Sequence, residues 1–145
     1  MQREPAFLAS TIGKKVVMAG TGIILFGFVC GHAVGNLQAY LVPEALNHYA
    51  AFLREFIHGW GLWIVRAALL ASVAIHVWAA TALTIENRRA RPVGYRAVQH
   101  EQSTYASRTM VWSGPILALF VIYHILHFTT GAVHPDFVEG DAFDR

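Results

Sequence analysis

Cysteine and charge are the two things this chain has least of. A single cysteine, Cys30, is present in 145 residues. That rules out a disulfide within the chain, thiolate ligation of an iron–sulfur cluster and the C-x-x-C-H thioether attachment of haem. Charged side chains make up 14% of the sequence against 55% hydrophobic, too little polar surface to wrap a soluble globule around long apolar segments. Also missing are an internal repeat, a low-complexity tract and the G-x-G-x-x-G turn that cradles a dinucleotide.

What the chain does have is three long apolar runs. The 28 residues from Val16 to Pro43 and the 27 from Thr109 to Pro135 carry no Asp, Glu, Lys or Arg. Each is long enough to cross a bilayer. Between them, Gly59 to Ile85 is interrupted only by Arg66. The first run exceeds the ~7–15-residue apolar core of a secretory signal and is expected to persist as a helix. The fold class implied is all-α: one polytopic membrane domain over residues 1–145, with spans at about 16–41, 59–85 and 109–131.

The charges that do occur are unevenly placed. Arg3, Lys14 and Lys15 precede the first span, and Arg88, Arg89, Arg91, Arg96 and Arg108 fill the connection between the second and third. The positive-inside rule puts both segments, and hence the N-terminus, in the cytoplasm. Arg54 with Glu44 and Glu55, and the tail with Asp136, Glu139, Asp141, Asp144 and Arg145, then belong outside. Tyr40, Tyr49, Trp60 and Trp63 are expected in an outer aromatic belt and Trp112 near the inner interface. Pro92 and Gly94 end the second helix, and Ser103 to Ser107 offer a cap for the third.

Each span contains a histidine, and an ionisable ring in a membrane marks function by default. At ~1.5 Å per residue, His32 lies roughly 25 Å from the inner edge counted from Lys15, and His124 about 24 Å counted from Arg108. His76, nine residues before Ile85, lies only ~14 Å from that edge. Axial ligation of haem iron needs two imidazoles at one depth, each with its second nitrogen held by a hydrogen bond. His32 and His124 meet the depth condition, while His76 would serve a second haem whose other ligand is not in this sequence. The alternative for each is a neutral histidine bonded to a neighbouring helix. His127, one turn beyond His124, is a rival ligand or a partner for a propionate or quinone.

Small residues accompany these histidines. Gly27, Gly31 and Gly35 form a strip beside His32 that would admit a flat macrocycle or another helix. Ser72, Ala79 and Ala80 leave room beside His76. Arg66 is placed either to pair with haem propionates or to snorkel to the interface. His48, His58, His100 and His134 fall in connections or at span ends and receive no role.

Several segments resemble the cytochrome b membrane-anchor subunit of succinate dehydrogenase and fumarate reductase, of the single-subunit di-haem b558 type. They are Ser10-Thr-Ile-Gly-Lys-Lys15, Gly31-His-Ala-Val-Gly-Asn-Leu37, His48-Tyr-Ala-Ala-Phe-Leu53, Trp63-Ile-Val-Arg66, Glu86-Asn-Arg-Arg-Ala-Arg-Pro-Val-Gly-Tyr95 and Tyr123-His-Ile-Leu-His-Phe-Thr-Thr-Gly131. The resemblance implies that the first span's ligand pairs with the third's and the second's with the fourth's: His32 with His124, and His76 with a residue of a fourth span. That family has five spans, of which these 145 residues hold three, so the sequence is expected to be a fragment, with a split gene or a shortened subunit that recruits the missing helices from another chain as alternatives, and it supports one complete haem b site and half of a second.

The activity implied is electron transfer from an iron–sulfur subunit to membrane quinone, with succinate oxidised on a flavoprotein subunit, at the cytoplasmic membrane. Whether this subunit counts as an enzyme is left open, because the dicarboxylate chemistry belongs to its partners. Two other readings stand beside it. One is the cytochrome b anchor of a different respiratory complex, such as a hydrogenase or formate dehydrogenase. The other is a haem-free channel, transporter or assembly protein whose histidines line a polar path or join helices.

Overall fold

Why the first helix starts where it does is a matter of one hydroxyl. Ser10 has extended backbone and its side chain accepts from the Gly13 amide at 3.0 Å, capping α1 (Thr11–Asn36). A tight 3-10 turn, Leu37–Tyr40, prolongs it. Pro43, at the position where a missing N–H costs nothing, opens the amphipathic α2 (Pro43–Glu55), and α3 (Trp60–Ala90) follows. The computed structural model describes residues 7–93 and 103–134. In the second described stretch Thr104 caps α4 (Tyr105–His124), its hydroxyl accepting from the Ser107 amide at 3.2 Å.

Among the described residues every regular element is helical, with no strand. Three helical segments are long and apolar enough to cross a membrane: Thr11–Tyr40, Trp60–Ala90 and Tyr105–Thr129. Large apolar side chains such as Ile23, Phe26, Leu117 and Phe120 are 73%, 71%, 61% and 59% exposed, which water would not tolerate over such areas. The chain is a multi-pass membrane protein.

The helices outrun the apolar stretches at their charged ends. The first span begins near residue 11 rather than 16, and the second continues to Ala90 rather than 85. Lys14 and Glu86 explain this, since they form an ion pair that also recruits the Ala9 carbonyl and Thr11. A charge that is paired and hydrogen-bonded need not end a helix. Pro92 follows the end of α3, as the sequence predicts. Arg3, Arg96, His100 and the acidic tail lie outside the described residues.

By its contacts the chain divides into two compact units, Met1–Gly94 and Tyr95–Arg145. In the first, α1 and α3 pack antiparallel, Lys14 beside Glu86 at one end and Met18 and Thr21 beside His76 further along. Gly61, Ser72, Ala79 and Leu83 form the buried stripe of α3. The first connection, from which the sequence yields only its charges, contains α2. It seats Tyr49 on α1 at Gly35, where an added Cβ would come within 2.8 Å of the ring. Tyr49, expected in the outer belt, is therefore half-buried in this contact, while Tyr40, Trp60 and Trp63 remain exposed. The turn into α3 runs through Ile57, His58 and Gly59, all at positive φ (52°, 52° and 85°), a conformation only the glycine adopts without strain.

Candidate functional site: three intramembrane histidines

His76 is the best-anchored of the three. Its Nδ1 lies 3.1 Å from the Met18 carbonyl oxygen and 3.0 Å from Thr21 Oγ1. A carbonyl only accepts, so Nδ1 carries the hydrogen and donates to α1. Thr21 can accept the second branch because its own hydrogen goes to the Val17 carbonyl at 2.8 Å. In the neutral ring the lone pair then resides on Nε2, which makes no hydrogen bond among the described residues. Gly22 forms the floor, a Cβ there standing 3.5 Å from His76 Cε1. The small residues expected to leave room beside His76 are taken up by this packing: Ser72 is buried and bonded to the Ala68 carbonyl, and Ala79 has no exposed surface.

His32 is held within its own helix. Its ring stacks on Phe28 one turn earlier, with centroids 5.3 Å apart, and its Nε2 lies 3.1 Å from Asn36 Nδ2 one turn later. An amide nitrogen only donates, so here too Nε2 bears the lone pair. A ligand arriving at Nε2 has to displace that amide. Counted from the contact of Thr21 with His76, His32 is eleven residues along α1, about 16 Å, and Arg66 is ten residues back along the antiparallel α3, about 15 Å. His32 and Arg66 therefore stand at one level, and His76 about 16 Å from both. Arg66 is half-buried with its guanidinium over Trp63, 5.0 Å from the ring centroid. Of the glycine strip, Gly35 is filled by Tyr49, and Gly27 and Gly31 have open space within their own unit.

In the second unit His124 lies between Phe120 and Phe128, centroids 5.7 and 5.1 Å away. Directly after it the helix widens: residues Ile125–Thr129 are π-wound, with the Thr130 amide donating to the Ile125 carbonyl at 3.0 Å. The simple one-turn spacing of His127 from His124 is not kept, because an i→i+5 turn carries fewer degrees per residue. His127 instead stacks on Tyr123 at 5.4 Å and sits 4.6 Å from His134. Its Nδ1 is buried without a hydrogen-bond partner.

Sequence reasoning missed Thr21, Met18 and Asn36. Thr21 was visible as a hydroxyl inside an apolar run, but a backbone acceptor such as the Met18 carbonyl leaves no mark in a sequence. Among the described residues no three His, Cys, Asp or Glu side chains gather closely enough to hold a bare metal ion. The chemistry on offer is that of separate imidazoles, at least one with its tautomer fixed and a lone pair presented. Comparison with family models, with curated proteins and with solved structures gives no match.

Proposed function

We propose that this chain is a haem-binding membrane anchor of the succinate dehydrogenase/fumarate reductase type, passing electrons between an iron–sulfur subunit and quinone at the cytoplasmic membrane. The observation that carries the reading is His76, an intramembrane imidazole whose Nδ1 is tied to α1 and whose Nε2 makes no hydrogen bond among the described residues. That is the state a haem-ligating histidine requires, and separate histidines suit a metal whose remaining ligands come from a macrocycle. His32 and His124, at equal depth by residue count, would hold one haem b. His76 would hold a second, with its other ligand from outside these residues. When bound, the haem supplies reversible one-electron transfer. The chain would contribute the imidazoles of His32 and His124, the rings of Phe28, Phe120 and Phe128 stacked beside them, and the Arg66 guanidinium at the level of His32 as a counter-charge for propionates.

The Lys and Arg clusters support an inner N-terminus, and the arginines after α3 suit docking of the iron–sulfur and flavoprotein subunits. A haem-free role is the competing reading, since the bond from His76 to α1 would also serve to join two helices. A reduced-minus-oxidised spectrum of membranes containing the full chain and its partners separates them. A b-type band is expected, and a colourless preparation overturns the proposal. Co-purification of a flavoprotein that oxidises succinate distinguishes this complex from other cytochrome b anchors.

A further inference from the structure

We infer that α1 tunes the haem held by α3: Thr21 and the Met18 carbonyl together form the hydrogen-bond acceptor that sets the ligand strength of His76, making Thr21 a positioning residue for the second haem. This rests on the function proposed above. Three observations converge on it. Nδ1 of His76 reaches two acceptors on α1, at 3.0 and 3.1 Å. The Thr21 hydroxyl is oriented to accept because its own hydrogen is engaged by Val17, and Thr21 is itself 9% exposed. Gly22 lies directly beneath the ring, a Cβ there standing 3.5 Å from His76 Cε1.

The physical effect follows from the direction of donation. An imidazole whose far N–H donates to an oxygen is a stronger base at its other nitrogen, and a stronger base favours the ferric over the ferrous state. Two acceptors strengthen the donation further, and the apolar surroundings let no water replace one that is lost. His32 lies eleven residues, about 16 Å, further along α1 than Thr21. A change at Thr21 therefore reaches the His76 haem and not the other.

The experiment is a redox titration of membranes carrying the full chain with its partner subunits. His76→Ala first identifies which b-type signal belongs to His76. Thr21→Val keeps the volume and removes the hydroxyl, whereas Thr21→Ser keeps the hydroxyl. Thr21→Val is expected to raise the midpoint of the His76 haem by about a tenfold change in the ferric-to-ferrous preference, the lower range for loss of an outer partner, equal to ~59 mV for one electron. The other haem is expected to stay in place, and Thr21→Ser to restore the parent value. Two haems present with an unmoved midpoint overturn this inference alone, as does an equal shift of both, which marks a merely structural residue. Membranes without any b-type signal overturn the functional reading and this inference with it.

Discussion

An imidazole in a bilayer persists only as a neutral ring with its N–H satisfied, and the histidines here meet that demand unequally. His76 donates its N–H across a helix interface, His32 accepts at Nε2 from Asn36 of its own helix, and His127 keeps a buried Nδ1 with no hydrogen-bond partner among the described residues. An unmet buried polar atom costs roughly 1–3 kcal/mol. His127→Phe is therefore expected to leave thermal stability unchanged or raised and to keep the b-type band. Loss of the band in that variant would make His127, not His124, the ligand of the third span. His32→Ala and His124→Ala should each abolish the same b-type signal, and His76→Ala should leave it. Difference spectra with pyridine haemochrome quantitation check this, and equal losses from all three variants would refute the pairing.

At the scale of elements, α1 is the hub of the first unit. It meets α3 through Lys14 with Glu86 and through Thr21 with His76, and it meets α2 through Gly35 under Tyr49. Each contact lies where the side chain on α1 is small or paired, so two apolar helices gain a fixed register in lipid, where hydrophobicity alone supplies none. Gly35→Ala is expected to lower stability by about 1–3 kcal/mol through overpacking against the Tyr49 ring. Adding Tyr49→Ala should cancel most of that increment, because the two residues share one contact and their effects will not add. Thermal denaturation of the purified single and double variants measures the coupling, and additive losses would show that the ring simply swings aside.

For the molecule as a whole the open variable is orientation, which local Lys and Arg decide. With the N-terminus inside, α2 faces the outer solution and the segment after α3 faces the cytoplasm. In a Cys30→Ala background, an impermeant maleimide added to intact cells should label His48→Cys on the exposed face of α2 and leave Val93→Cys, 76% exposed beyond α3, unlabelled until the membrane is opened. The reverse pattern would invert the topology, and with it the side on which the proposed catalytic subunits would dock.

Three helices of membrane-spanning length were legible in composition and run length, because an apolar stretch of bilayer length has few other stable homes. The helix caps at Ser10 and Thr104 and the stop at Pro92 were equally local. What needed the folded chain was everything carried by partners distant in sequence or by backbone atoms. The Met18 carbonyl, the pairing of Lys14 with Glu86 that carries two helices past their apolar runs, and the seat of Tyr49 on Gly35 are of this kind. So is the π-turn after His124, where the backbone's winding rather than residue spacing determines which way His127 faces. Residue identities determine which segments leave water. Only packing determines which nitrogen of a histidine is left to bind.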